Sequence, residues 1–112
     1  MRTLTKLSGA VYKNMNNPRE LGKLYMELGA MYAYYSELMK EVKMGKSQEW
    51  INLKYSEGEK LLSDRLTEMK WRTTPPGIKE QEYKYLLDGI EKLSDSIKQA
   101  AYLNHQEIKN LS

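Results

Sequence analysis

The sequence predicts an all-α fold: an elongated antiparallel bundle of three long helices with coiled-coil-like packing and a loose N-terminal arm. Two features of the 112 residues support this. Apolar residues recur at intervals of three and four, which places an apolar stripe along each helix. The strongest helix break inside the chain is the segment TTPPG at 73–77. The predicted helices span about 18–44, 47–72 and 78–111, giving an arm at 1–17 and a bundle domain at 18–112.

The first predicted helix is the stretch Asn17–Met44. Asn17 as N-cap, Pro18 in the first turn and Glu20 at the third helical position form a capping-box arrangement. Gly45 is expected to end the helix, because glycine is common just past a helix C-terminus. The apolar stripe consists of Leu21, Leu24, Tyr25, Leu28, Met31, Tyr32, Tyr35, Leu38, Met39 and Val42.

The connection Gly45-Lys46-Ser47 is so short that the first and second helices are expected to run antiparallel as a hairpin. The second helix extends from Ser47 to about Trp71. It must stop by Thr73, because proline lacks an amide donor and disfavours helix in the residue before it.

The third predicted helix runs from about residue 78 to 111. At 1.5 Å per residue it is ~50 Å long, against ~40 Å for each of the others, so it is expected to overhang the hairpin by about two turns. An unpaired apolar stripe at this overhang predicts a homo-oligomer. The residues expected at an oligomer or partner interface are Tyr25, Gly29, Tyr32, Tyr35, Ala101, Ile108 and Leu111.

Small residues at intervals of seven lie beside the first stripe, at Gly22, Gly29 and Ser36. A glycine inside a helix costs about 1 kcal/mol relative to alanine, so two of them require a reason. Close approach of a second helix is one reason, and a groove for a ligand or for extended DNA is the other.

The net charge of +3 lies in the N-terminal arm. Residues 1–20 hold four basic side chains against one acidic side chain, and the two signs balance over residues 21–112. The arm is either frayed or becomes ordered on a polyanion or a neighbouring subunit. Because the helical body is not basic in bulk, the sequence pI of about 9.0 is only weak evidence for nucleic acid as the partner.

The sequence offers little for catalysis. Cysteine is absent and His105 is the single histidine, so an ordinary zinc site is not expected. No phosphate-binding loop, dinucleotide-binding turn or nucleophile elbow occurs. We therefore expect a non-enzymatic protein without cofactor, metal or small-molecule substrate. No apolar run reaches the ~18 residues of a membrane span, and the lack of cysteine fits the cytoplasm.

Basic residues beside tryptophan suggest a nucleic-acid site. In the predicted hairpin the end of the second helix lies beside the start of the first, and a second basic cluster lies at the opposite tip. An aromatic ring flanked by cations can stack a base while the cations hold phosphates. The alternative is that Trp71 packs the loop onto the bundle. The candidate residues are Lys70, Trp71, Arg72, Arg19 and Lys23 at one end, and Lys40, Lys43 and Lys46 at the other.

The segment 71–98, WRTTPPGIKE…K…LDGIEKLSDSIK, resembles a run in small helical proteins of tailed phages. There a helix ends in tryptophan, passes a Thr-Pro-x-Gly turn and enters a long helix. The stretch Glu27–Leu38 is similar to the first helix of that group, so the resemblance covers about residues 20–100. Members accompany phage recombination and replication genes and are similar in layout to recombination mediators, which load a recombinase onto single-stranded DNA. The resemblance implies DNA binding by Lys70, Trp71 and Arg72 and a place in the host cytoplasm.

Two functions are therefore expected. The first is a phage DNA recombination or replication accessory that binds single-stranded DNA, a recombinase, or both. The second is a helical protein–protein interaction module, an adaptor or inhibitor, without nucleic-acid binding. The resemblance favours the first, and the neutral helical body favours the second.

Overall fold

The computed structural model describes residues 2–56, 58 and 60–111, with side chains described as far as residue 106. Over these residues the chain contains no strand and four helices: α1 (Leu4–Lys13), α2 (Pro18–Lys54), α3 (Asp64–Thr73) and α4 (Pro75–Leu111). The all-α fold is confirmed. The chain forms two compact units, unit 1 (Met1–Tyr34 and Leu86–Ser112) and unit 2 (Tyr35–Tyr85).

The N-terminal segment is the first departure from expectation, because residues expected as a loose arm form the helix α1. Thr3 caps it by accepting a hydrogen bond from the Lys6 amide. Leu7 and Val11 are fully buried. Since these two side chains are four residues apart, they share one helix face, and burying that face in unit 1 stabilises a helix too short to form alone.

The helix α2 continues through Gly45 to Lys54, so the predicted hairpin turn at 45–47 is wrong. A helical glycine costs only about 1 kcal/mol, which the rest of a 37-residue helix readily offsets. The start of α2 follows the prediction, since the Asn17 side chain accepts a hydrogen bond from the Glu20 amide.

The chain turns instead in the segment between α2 and α3. Gly58 there has a φ of +79°, a left-handed conformation that favours glycine. Ser63 then caps α3 by accepting a hydrogen bond from the Leu66 amide. The second predicted helix, 47–72, is therefore divided between the end of α2, this turn and α3.

A single residue, Thr74, joins α3 to α4. Its amide and its hydroxyl both donate to the Trp71 carbonyl oxygen, at 3.0 and 2.6 Å. Its hydroxyl oxygen accepts from the Gly77 amide at 3.1 Å, and its carbonyl oxygen from the Ile78 amide at 2.9 Å. The two prolines fit the first turn of α4, where an amide has no helical partner. The break at 73–77 is thus confirmed, and α4 begins at Pro75 rather than at residue 78.

The helix lengths remove the argument for an overhang. Both α2 and α4 contain 37 residues, so α4 does not exceed its neighbour as the sequence suggested. The prediction of a homo-oligomer therefore loses its original support. None of the helices, over the part of the chain that the structure describes, combines the length and the hydropathy of a membrane span.

Each unit has its own core. In unit 1, Gly89 on α4 lets α1 approach closely: a Cβ at this glycine would lie 2.6 Å from the Leu4 Cδ2 atom. The buried apolar residues of unit 1 are Leu7, Val11, Leu21, Leu24, Leu28, Met31, Ile90, Leu93, Ile97 and Ala100. Unit 2 buries Met39, Thr67 and Trp71.

Candidate functional site

An open cleft of about 510 Å³ lies between the end of α2 and α3 in unit 2. We call it the Trp50 cleft. Its lining residues on α2 follow helical spacing, and all of them except Lys43 lie beyond the predicted end of the first helix. The residues that line it are Lys43, Lys46, Ser47, Trp50, Ile51 and Glu68.

Trp50 is the aromatic residue of this cleft and is only partly buried. Its indole Nε1 donates to Glu68 Oε2 at 3.1 Å, which ties α2 to α3. The Lys54 ammonium lies 5.0 Å from the centroid of the indole ring. Since this is a cation–π distance, the ring already has one cationic neighbour.

Lys46 is shared between two carboxylates. Its ammonium lies 3.5 Å from Glu68 Oε1 and 3.1 Å from Glu80 Oε1. It also lies 5.4 Å from the centre of the Trp71 ring. Lys46 and Trp71 were expected at opposite ends of a hairpin, but they are neighbours because the turn falls after Lys54 rather than at Gly45.

Trp71 is a packing residue. Only 1% of it is exposed, and its indole Nε1 donates to Glu80 Oε1 at 3.3 Å. A ring this deeply buried offers no face on which a base could stack. Of the two readings that the sequence left open, the packing of the turn onto the helices is the one that the burial supports.

The other predicted nucleic-acid residues are divided between the units. Arg19 and Lys23 belong to unit 1, where Lys23 lies 3.4 Å from Glu20. In unit 2, the Lys70 ammonium donates to Ser56 at 3.4 Å and Arg72 lies 3.8 Å from Glu68. The eight residues are therefore divided between the two units, and Lys46, Lys70 and Arg72 each have an acidic or polar partner.

Lys40 and Lys43 are the exposed cations of α2 in unit 2. Neither forms an ion pair with any residue that the structure describes. Lys43 lines the Trp50 cleft, so a free cation, the shared Lys46 and a partly open indole meet there. Sequence reasoning missed Trp50 as a site residue. The spacing of Lys43, Lys46 and Trp50 on one helical face would have revealed it if α2 had been extended through Gly45.

A second surface of unit 2 is apolar. On α3, Leu66 and Met69 are 49% and 55% exposed, on the side away from the buried Thr67 and Trp71. With Leu62, Lys70 and Thr73 they line a shallow groove of about 370 Å³. We call Leu62, Leu66, Met69 and Thr73 the α3 apolar surface, and none of these residues is among those that the sequence predicted at an interface.

The predicted interface residues are also divided between the units. Tyr25, Gly29 and Tyr32 line a cleft of about 430 Å³ between α2 and α4 in unit 1, which we call the tyrosine cleft. Tyr35 belongs to unit 2, where its ring lies 6.0 Å from that of Tyr83. Ala101 is exposed. The side chains of Ile108 and Leu111 fall outside the described residues.

No group of histidine, cysteine and acidic side chains suited to holding a metal ion occurs among the described residues. The Trp50 cleft and the tyrosine cleft offer aromatic faces, charged side chains and hydrogen-bonding groups. Comparisons of the chain with protein-family models, with curated proteins and with solved structures give no significant match.

Proposed function

We propose that this protein is a non-enzymatic helical interaction module that binds a protein partner through the α3 apolar surface. The observation that carries the proposal is the pair Leu66 and Met69, about half exposed on an amphipathic helix whose opposite face is buried. Neighbouring apolar side chains that stay in water on one helix face are typical of a docking surface for another helix.

A second copy of the chain fits this surface. Two α3 helices packed antiparallel bring Leu66 and Met69 of each copy against the same pair of the other. Asp64 lies on the opposite side of α3, where Lys54 pairs with it, so it takes no part in this contact. This arrangement is isologous, so it closes as a symmetric dimer, and it also opposes the two helix dipoles.

The expected dimer is weak. Burying a partly exposed Leu or Met side chain contributes about 1–1.5 kcal/mol, so Leu62, Leu66 and Met69 of two copies contribute about 6–9 kcal/mol. Association costs at least about 4 kcal/mol in lost translational and rotational freedom. The balance of about 2–5 kcal/mol corresponds to a Kd between about 30 mM and 0.2 mM, so the measurements extend from about 10 μM to several millimolar.

Sedimentation equilibrium over this concentration range tests the proposal. Leu66→Asp and Met69→Asp should abolish dimerisation, because each buries a charge in the contact. Met26→Asp is the matched control, since Met26 is 76% exposed in unit 1 and should change nothing. Circular dichroism confirms that each variant keeps its helix content.

A chain that stays monomeric at several millimolar would overturn self-association. Dimerisation that is unaffected by Leu66→Asp and Met69→Asp would place the contact elsewhere.

The second candidate function is that of a phage accessory protein that binds single-stranded DNA or a recombinase in the host cytoplasm. One observation favours it: the Trp50 cleft brings the free Lys43 beside a partly exposed indole. Against it, Lys46 at the same site is neutralised by Glu68 and Glu80. The lack of cysteine supports a cytoplasmic location.

Fluorescence anisotropy with a labelled oligonucleotide tests the second candidate. Binding to DNA should weaken steeply as salt rises. It should also fall with Lys43→Glu and Trp50→Ala, and stay unchanged with Lys84→Glu, which alters an exposed α4 residue of the same unit. No binding at low salt would exclude this function.

A further inference from the structure

The tyrosine cleft of unit 1 combines aromatic rings with carboxylates. Tyr25 and Tyr32 are two helical turns apart on α2, and each is 39% exposed. Glu91 and Asp95, four residues apart on α4, line the facing wall. Positions four apart on a helix share one face, so both carboxylates border the same opening.

Gly29 gives the cleft its depth. It lies between the two tyrosines along α2 and lines the cleft, and a Cβ at this position would meet no atom within 4 Å. The space that a side chain would fill is therefore open to a ligand. A flat group can enter there between the two rings.

The cleft already attracts a cation from its own chain. The Lys98 ammonium lies 5.9 Å from the centre of the Tyr25 ring, which is a cation–π distance. On the other side, the Tyr32 hydroxyl donates to Glu91 Oε1 at 3.4 Å and orients that ring. With Glu91 and Asp95 against Lys98, the lining carries one net negative charge on a chain whose overall charge is +3.

We propose that the tyrosine cleft binds the guanidinium group of an arginine side chain from a partner protein, which displaces Lys98 from the Tyr25 ring. A guanidinium is planar, stacks on aromatic faces and donates two parallel hydrogen bonds to a carboxylate. The cleft offers a partner for each of these properties. The proposal rests on the proposed function in that the ligand is part of a protein, but it uses different residues in a different unit.

NMR titration of the isotope-labelled full chain with a short peptide that contains one arginine tests this site. The matched probe is the same peptide with citrulline, which keeps the planar shape and loses the charge. The arginine peptide should shift the amide signals of residues 25–32 and 91–98 and bind about tenfold more tightly than the citrulline peptide. A lysine peptide should bind less tightly than the arginine peptide, because an ammonium lacks the planar fork.

Three variants, two of them with matched controls, locate the ligand. Gly29→Leu fills the cleft and should weaken binding about tenfold or more, whereas Gly22→Leu, at another open glycine of α2, should leave it unchanged. Lys98→Ala removes the internal competitor and should tighten binding about threefold, the worth of an exposed cation–π contact. Asp95→Asn should weaken binding, whereas Asp88→Asn should not.

Equal affinity for the arginine and citrulline peptides would overturn the proposal, and so would unchanged binding by Gly29→Leu. Circular dichroism shows whether each variant is folded. Gain of affinity by Lys98→Ala cannot come from a folding defect, so it tests the site even if Gly29→Leu is unstable. Leu66→Asp should abolish dimerisation through the α3 apolar surface but leave peptide binding intact. The two proposals can therefore fail independently of each other.

Discussion

Replacing Trp71 by alanine should destabilise the fold severely. The side chain is 99% buried in unit 2 and contacts both Lys46 and Glu80. Removing a fully buried tryptophan costs about 3–5 kcal/mol, through lost burial and the cavity that remains. Domains of this size have a total stability of about 5–15 kcal/mol. The variant should therefore lose a large part of its free energy of unfolding.

Urea denaturation followed by circular dichroism measures this loss. With a slope of about 2 kcal/mol per molar urea, the midpoint should fall by about 2 M. Trp71→Phe keeps a six-membered aromatic ring but loses the rest of the indole and its donor to Glu80, so its loss should be smaller, about 1–3 kcal/mol. Trp50→Ala is the matched control at a partly buried indole and should cost less than Trp71→Ala.

A midpoint for Trp71→Ala within about 0.3 M of the parent protein would refute the reasoning, since a residue in the core of unit 2 cannot be removed at so small a cost. If oligonucleotide binding also fell in such a stable variant, the Trp71 ring would be the residue that stacks on a base. Its burial in the free chain would then have to be reversed when DNA binds.

The remaining predictions concern glycines and the anchoring of α1. Gly77→Ala should lower the free energy of unfolding, measured by urea titration, by about 2 kcal/mol or more, because its Cβ would lie 1.8 Å from the Trp71 carbonyl oxygen. Gly45→Ala should raise the free energy of unfolding by up to about 1 kcal/mol, because a Cβ at this helical position would meet no atom within 4 Å. The hydrogen bonds from Arg2 lower the pKa of Glu27 on α2. The contact between Arg2 and Glu27 should therefore stabilise the docking of α1 fully at pH values above the ordinary carboxyl pKa, and this stabilisation should be lost as the pH falls through the lowered pKa of Glu27. The amide NMR signals of α1 should show the change.

Each of these has a contradicting result. A Gly77→Ala protein as stable as the parent would mean that the junction of α3 and α4 relaxes easily. A destabilised Gly45→Ala protein would mean that this glycine has a contact partner. Arg2→Gln should abolish the pH-dependent change of the α1 signals, and a change that persists in this variant would assign it to another group.

The fold class and two helix boundaries followed from local signals. The Asn17 cap and the two prolines at 75–76 act within one turn, so the sequence shows them directly. The end of α2 is different, because Gly45 and Gly58 are both plausible stops. The choice between them depends on tertiary contacts, among them the hydrogen bond from Trp50 to Glu68 across 18 residues.

That one boundary explains most of the errors about the candidate site. With the turn placed at Gly45, Lys46 falls at the tip of the hairpin and Trp50 in the first turn of the second predicted helix. With α2 extended to Lys54, the same residues line an open cleft. The docking of α1 was equally hidden, since the burial of Leu7 depends on side chains far away in the chain. Helical periodicity identifies an apolar face, but it does not identify what covers that face.

The double role of Thr74 makes α3 and the first turn of α4 a single cooperative element. Fraying at the C-terminus of α3 would release the hydroxyl that caps α4, and unwinding of the first turn of α4 would free the carbonyl end of α3. Neither helix end can melt alone. In hydrogen exchange, the amides of Thr74, Gly77 and Ile78 should therefore open with one common free energy rather than as two independently fraying ends.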